Sequence, residues 1–327
     1  MSPPLAHVGG GTLEPLQLAV PIAAGVAYLV RSRTLERQGR PVSAARRASF
    51  ALGLALVLAS LVSPVAHLGE ELLLAHMAQH LAMADLGALL MVIGLTGPML
   101  QPVLAIRPID RLRALAHPAV ALPLWAVNLY VWHLPVLYQG ALANEWLHVL
   151  QHATFVAFGI NMWMSLLGPL PMPEWFGNGA KLAYLVSVRL AGALLANVLM
   201  WSEAVLYPDY APGEAELGIA PLTDQATAGV IMMVEGSILT IVLFGWLFLK
   251  AAGEGEERQR LLELAARNGV ELSARRAARA VGAGRGADLR RRLERAAAAG
   301  RGSDRPEAAA TGSSPPRPAR SPAAPVR

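Results

Sequence analysis

Seven long apolar stretches constrain this chain more than any other feature of its sequence. A helix needs about 20 mostly apolar residues to cross a bilayer, and seven stretches meet that requirement. They cover roughly residues 13–30, 48–66, 72–95, 119–138, 146–168, 182–204 and 225–249. The composition agrees, because 54% of the residues are hydrophobic and only 16% are charged. The sequence therefore predicts an all-α, polytopic membrane protein built as a bundle of seven transmembrane helices.

The basic residues predict the orientation of these helices. Arginine or lysine occurs between segments one and two, three and four, and five and six, and again after segment seven, whereas the alternate loops contain only acidic charges. Basic residues in short loops favour the cytoplasmic side. We therefore expect the N-terminus outside and the C-terminus in the cytoplasm. Glu14 precedes the first segment and the arginines follow it, which is the reverse of a signal peptide and indicates an uncleaved anchor.

The chain is expected to divide near residue 251. Residues 1–250 form the transmembrane domain, and residues 251–327 form a basic cytoplasmic tail with 16 arginines and 9 acidic residues. Short helices are expected near 258–267 and 288–299, followed by a disordered run rich in proline, serine and alanine. The tail is either simply solvated or in contact with anionic lipid headgroups. It contains no nucleic-acid-binding motif, so no nucleic-acid partner is expected.

Histidines collect at the outer ends of the segments. Six of the eight lie there: His67, His76, His80, His133, His148 and His152. A spacing of four residues places His76 and His80 on one helix face, about 6 Å apart at Cβ, and does the same for His148 and His152. Two imidazoles at this spacing can bind one metal ion, and His133 arrives at the same level. The sequence therefore predicts a metal site whose ligands are His76, His80, His133, His148 and His152.

Four further residues are predicted to be accessory to this site. Asp85, about one and a half turns below His80, is expected to orient an imidazole or to relay protons. Met77 supplies a thioether, which suits Cu(I), and His67 lies at the mouth of the site. Glu203, at the outer end of segment six, is either a ligand or an interfacial residue. Separately, Arg189 and Glu235 within segments six and seven are expected to form a buried ion pair.

The residue types leave three kinds of site open, because imidazole binds zinc, copper, iron and nickel. The first is a copper site. The second is a zinc-dependent membrane hydrolase, in which the metal activates a water molecule and Asp85 or Glu203 acts as the base. The third is haem b, held between one histidine from segment three and one from segment five. Cysteine is absent, which excludes disulfides, thiolate ligands and c-type haem attachment.

Three motifs resemble one known family. They are AHMAQHL at 75–81, WHLPVLY at 132–138 and LHVLQHATF at 147–155, and Ser63-Pro64 and Gly94–Pro98 extend the likeness. In order and topology they are similar to the CtaG family of bacterial cytochrome c oxidase assembly factors, over residues 13–250.

The resemblance implies a non-enzymatic, multi-pass protein of the bacterial cell membrane. Such a protein would bind copper, as Cu(I), through the five histidines and would supply it to a cytochrome c oxidase subunit. That subunit and membrane lipid are the expected partners. The oligomeric state, including a homo-oligomer, stays open.

Overall fold

The computed structural model describes residues 14–62, 64–106 and 113–303, and every regular element within them is helical. Two short 3₁₀ turns, Arg113–Ala116 and Pro208–Tyr210, join thirteen helices in this described part. The helices are α1 Glu14–Arg37, α2 Ala44–Val62, α3 Pro64–Glu71, α4 Leu73–Gly94 (with a π-helical turn at Leu81–Gly87), α5 Gly97–Leu104, α6 Pro118–Trp132, α7 Pro135–Ala143, α8 Glu145–Leu167, α9 Asn178–Trp201, α10 Ala211–Leu217, α11 Pro221–Arg267, α12 Ala274–Gly282 and α13 Gly286–Ser303.

Several of these helices are suited to crossing a membrane, which confirms the predicted all-helical, polytopic class. Among the described residues, five helices are long and apolar enough: α1, α2, α4, α9 and α11. The bent pair α6 and α7 adds a sixth if it is one span. Helix α8 has 23 residues but is not among them, because Glu145, His148, Gln151 and His152 make its first two turns polar. The count of seven spans and their orientation stay predictions.

The fourth segment differs from the single helix predicted over 119–138. Helix α6 ends at Trp132, and the chain bends by 71° into α7. Pro135 explains the break, because proline lacks an N–H and disfavours the helical conformation at the residue before it. Leu134 is accordingly extended, with φ −63° and ψ 127°. His133 therefore caps the end of α6 instead of continuing a helix.

Helix α4 is the central helix of the transmembrane part. Of its apolar window 61% is buried, against 17–33% for the other four long spans. It packs against α2 on one side and α8 on the other. Glycines allow this contact: a Cβ atom on Gly53 of α2 would lie 2.6 Å from the Gly87 carbonyl oxygen, and one on Gly159 of α8 would lie 2.1 Å from the Ala84 carbonyl oxygen. Close backbone packing thus brings α4 and α8, which carry the histidine pairs, together.

The described residues form two compact units, divided between Phe248 and Leu249. The second unit has a small apolar core of its own, formed by Leu261, Ala265, Val281, Leu289 and Leu293. The helix predicted over 258–267 is the end of α11, and the one predicted over 288–299 lies within α13. Helix α12 was not predicted. The proline-rich run from residue 304 onward lies outside the described residues.

Candidate metal centre

Capping interactions set where the two histidine-bearing helices begin. Asp224, which is fully buried, accepts hydrogen bonds from the backbone N–H groups of Leu73 (2.7 Å) and Leu74 (3.0 Å) at the start of α4. Asn144 caps α8, because its side-chain oxygen accepts from the backbone N–H of Leu147 at 3.1 Å. Both histidine pairs therefore lie in the first two turns of their helices. The pairs are His76 with His80 and His148 with His152.

These four imidazole rings form one cluster, hereafter the histidine cluster. Nε2 of His76 lies 2.9 Å from Nε2 of His80, and the ring centroids of His148 and His152 are 4.2 Å apart. Across the two helices, the centroids are 5.4 Å apart for His76 and His148 and 5.2 Å apart for His80 and His152. One ligand nitrogen from each of His76, His80 and His152 lies within 4.8 Å of the other two. The structure thus brings four of the five predicted ligands together.

Hydrogen bonds at Nδ1 place the lone pair on Nε2 in two cluster histidines; Nε2 of His152 has no partner among the described residues, and Nε2 of His76 contacts only Nε2 of His80, a contact that a shared ion would replace. Nδ1 of His76 lies 3.1 Å from the Gly69 carbonyl oxygen, and Nδ1 of His152 lies 3.4 Å from the side-chain oxygen of Gln17. These oxygens can only accept, so each contact requires a proton on Nδ1 and leaves the lone pair of the neutral ring on Nε2. Metal-binding histidines are commonly oriented in this way. Sequence reasoning missed Gln17, which is 135 residues from His152 along the chain.

Several nitrogen atoms in and beside the cluster are buried without a hydrogen-bond partner. In the described part of the chain these are Nδ1 of His80 and Nε2 of His133, His148 and His152. Buried polar atoms in folded proteins are nearly always paired, so this local concentration indicates a site for a ligand. Gln151, which lies on α8 with His148 and His152, is fully buried. Neither the nitrogen nor the oxygen of its side-chain amide has a hydrogen-bond partner among the described residues.

His133 lies next to the cluster. Its Nδ1 donates to the Leu129 carbonyl oxygen at 2.7 Å, and its ring centroid is 5.9 Å from that of Phe155. It is not among the three histidines whose ligand atoms lie within 4.8 Å of one another. The break at Pro135 places His133 at the end of α6. Its predicted role as a fifth ligand or as a gate stays a prediction.

Two buried tyrosines contact the cluster, and sequence reasoning missed both. The Tyr210 hydroxyl lies 2.8 Å from Nδ1 of His76 and 3.1 Å from the Tyr138 hydroxyl. Burial raises the pKa of Tyr210 well above its ordinary value, so the hydroxyl keeps its proton. Tyr210 belongs to the loop between α9 and α11. A tyrosine in an acidic loop has no sequence signature that distinguishes it from an interfacial anchor.

The predicted accessory residues lie elsewhere. Met77 is buried in an apolar cluster that includes Leu73 and Leu199. His67 is exposed, and its Nδ1 lies 3.9 Å from a Glu70 carboxylate oxygen. Glu203 is exposed in the loop after α9. Neither His67 nor Glu203 joins the group of converging histidine and carboxylate ligand atoms in the described residues, and a thioether contact from Met77 stays a prediction.

Asp85 requires a correction, because its carboxylate bonds no imidazole within the described ranges. It accepts from Arg189 Nη1 at 2.7 Å and from the Trp163 indole N–H at 3.0 Å. Asp85 therefore forms an ion pair with Arg189 of α9 and does not orient a histidine, and its predicted role in relaying protons stays a prediction. Glu235 is the more distant partner of Arg189, at 3.9 Å. The predicted Arg189–Glu235 ion pair is therefore present, but it is weaker than the pair of Arg189 with Asp85.

The fold and the cluster define a polytopic helical membrane protein with a buried, histidine-rich centre at the starts of α4 and α8. A profile of the family described as cytochrome c oxidase caa3 assembly factor (Caa3_CtaG) matches residues 26–253, more than half of the chain. The chain belongs to this family of oxidase assembly factors, which confirms the resemblance of its motifs. Comparison with curated proteins gave no match, and comparison with solved structures gave none either.

Proposed function

We propose that this protein binds copper, as Cu(I), at the histidine cluster and supplies it to a subunit of cytochrome c oxidase in the bacterial cell membrane. The convergence of His76, His80 and His152 carries the proposal: their ligand nitrogens lie within 4.8 Å of one another. All three side chains are at least 94% buried. Membership of an oxidase assembly family supports the choice of client.

The distances suit one small ion after minor ring rotation. Two imidazole nitrogens bound to one ion at about 2.0–2.1 Å lie about 3.3 to 4.1 Å apart, from tetrahedral to linear geometry. The observed separations, 2.9 Å for His76 and His80 and up to 4.8 Å within the group, bracket that range. Rotations that move each nitrogen by less than about 1 Å would complete a three-coordinate site.

The surroundings favour copper over a hydrolytic zinc centre. A catalytic zinc site needs a general base close to the metal-bound water. The converging group in the described residues contains only histidine. Asp85 is held by Arg189, and Glu203 is exposed. A haem b is also disfavoured, because all four rings are packed together: the centroids are 4.2–4.3 Å apart within each pair and 5.2–5.4 Å apart across α4 and α8, and a porphyrin would have to pass between them.

His148 supports a route for transfer. It is half-buried, whereas the other three rings of the cluster are buried. Its Nε2 is buried and has no partner among the described residues, so rotation of this partly exposed ring would let it take up an ion from the outer surface and pass it inward by ligand exchange. The reverse exchange would deliver copper to the client, and the role requires no catalysis.

Copper titration of the purified full-length protein in detergent tests the proposal. Cu(I) is titrated against a chromophoric chelator, and its affinity and stoichiometry are measured for the natural chain and for the double variant His76→Ala/His152→Ala. We expect the double variant to bind at least about 100-fold more weakly, because loss of ligand-orienting groups alone costs 10–100-fold.

The matched control is His67→Ala, which removes an exposed histidine outside the cluster. It should leave copper affinity unchanged. Equal affinities in all three proteins would refute the copper site, and a Soret band in the spectrum of the purified protein would refute it in favour of haem.

A further inference from the structure

A cleft in the second unit is lined by four arginines. Arg276 and Arg279 of α12, Arg285 of the connecting turn and Arg292 of α13 surround a space of about 400 Å³. Ala280 and Leu289 also line it, and Asp288 is the only carboxylate among the lining residues. The copper proposal makes no use of this cleft.

Local structure explains why the four side chains converge. Ser273 caps α12 by accepting from the Arg276 N–H at 3.3 Å, and Ala277 and Val281 are buried on a different face of that helix. Gly284, with φ +68°, turns the chain sharply. Arg285 N–H then bonds the Ala280 carbonyl oxygen at 2.8 Å. The turn therefore directs α13 back along α12, with the cleft between them.

The cleft arginines lack counter-charges within residues 113–303. None of the four forms an ion pair there, whereas three other arginines of the second unit do. Arg260 pairs with Glu256 at 3.1 Å and Arg290 with Glu294 at 3.0 Å. Asp288, which would be the natural partner inside the cleft, is engaged by Arg291. Four unneutralised guanidinium groups around one space form a site for an anion.

We propose that this cleft binds a phosphate group, carried either by an anionic phospholipid headgroup or by a small soluble phosphate compound. The guanidinium fork matches phosphate oxygens bidentately. A space of about 400 Å³ is within the range of small-ligand sites, so it accommodates a substituted phosphate. Each cleft arginine that contacts the phosphate is expected to strengthen binding about fivefold, whereas an arginine outside the cleft makes no such contact.

Binding to the full-length protein in detergent distinguishes the two sources. The probes are glycerol 3-phosphate, dioctanoyl phosphatidic acid and, as the zwitterionic comparison, dioctanoyl phosphatidylcholine, each measured by isothermal titration calorimetry. Binding of phosphatidic acid alone identifies a lipid headgroup. Comparable binding of glycerol 3-phosphate identifies a soluble phosphate compound. Both results support the cleft as a phosphate site.

A charge-matched pair of variants tests whether the cleft itself is responsible. The cleft variant is R276Q/R279Q/R285Q/R292Q. The control R258Q/R275Q/R290Q/R295Q removes the same charge from arginines that do not line the cleft. We expect at least about a 100-fold loss in the cleft variant and at most about fivefold in the control.

A third variant, Asp288→Asn, removes the carboxylate of the cleft and should tighten binding severalfold, which a misfolded protein cannot do. Far-ultraviolet circular dichroism checks that all variants remain helical. Equal losses in the two fourfold variants, absence of binding to every phosphate probe, or preferential binding of an RNA oligonucleotide at physiological salt would overturn the proposal.

Discussion

Replacing Arg189 should destabilise the transmembrane part more than replacing its closest partner. Arg189 Nη1 lies 2.7 Å from Asp85 Oδ2 and 3.9 Å from Glu235 Oε2. The three side chains are only 13–14% exposed. One guanidinium from α9 therefore neutralises carboxylates from α4 and α11, and its removal leaves two buried acids without a counter-charge.

The magnitude follows from this asymmetry. Removing one partner of a buried ion pair costs about 3–5 kcal/mol, so Arg189→Gln should cost about 4 kcal/mol. After Asp85→Asn, Glu235 still attracts Arg189 from 3.9 Å, an interaction of about 4 kcal/mol at an effective dielectric constant near 20. Asp85→Asn should therefore cost only about 1–2 kcal/mol. The double variant Asp85→Asn/Arg189→Gln should be more stable than Arg189→Gln alone, because it removes one of the two orphaned charges.

Equilibrium unfolding in mixed micelles, with increasing sodium dodecyl sulfate and detection by circular dichroism, measures these differences. Arg33→Gln, at an exposed arginine of α1, is the matched control and should change the free energy of unfolding by less than about 0.5 kcal/mol. If Arg189→Gln unfolds within about 1 kcal/mol of the natural protein, or if the double variant equals the sum of the single losses, the reasoning is refuted.

Three further predictions concern the cluster and its support. Gly159→Ala should destabilise the protein and weaken copper binding, because the added Cβ would clash with the Ala84 carbonyl oxygen. The control Gly97→Ala adds a Cβ in open space and should change neither property. Equilibrium unfolding and copper titration compare the two variants. Tyr210→Phe removes the hydroxyl that lies 2.8 Å from His76 Nδ1 and should weaken copper binding about 10–100-fold in the same titration; an unchanged affinity would exclude a role for that contact. Copper affinity should fall once the pH is low enough for the cluster imidazoles to take up protons, because a protonated imidazole cannot bind a metal, and an affinity that stays constant down to the acid unfolding of the protein would contradict histidine ligation.

The fold class was predictable because it depends on local properties of the chain. Apolar length identifies a span wherever that span packs. Segment 72–95 accordingly appears as α4, Leu73–Gly94. The break after Trp132 was missed because a hydropathy average over about 20 residues passes over one proline. In helix α8 the polar histidines lower the average hydropathy, although they lie on the part of the helix that packs against α4.

The composition of the site was only half predictable. The pairs His76/His80 and His148/His152 follow from the helical repeat, which puts residues four apart on one face. The contacts of Tyr210 with His76 and of Gln17 with His152 join residues 134 and 135 positions apart. Such pairings have no periodic signature. The ion pair of Asp85 with Arg189 was missed for the same reason, because the two residues are 104 positions apart.

The sequence alone determined that this is a helical membrane protein and that its histidines occur in pairs at the starts of helices, since both depend on spacing within one segment. Tertiary structure alone decided which helices adjoin, which nitrogen atoms converge and which acid meets which base. Those outcomes depend on packing between distant segments, where glycines such as Gly159 permit backbone contact. No short-range pattern records that packing.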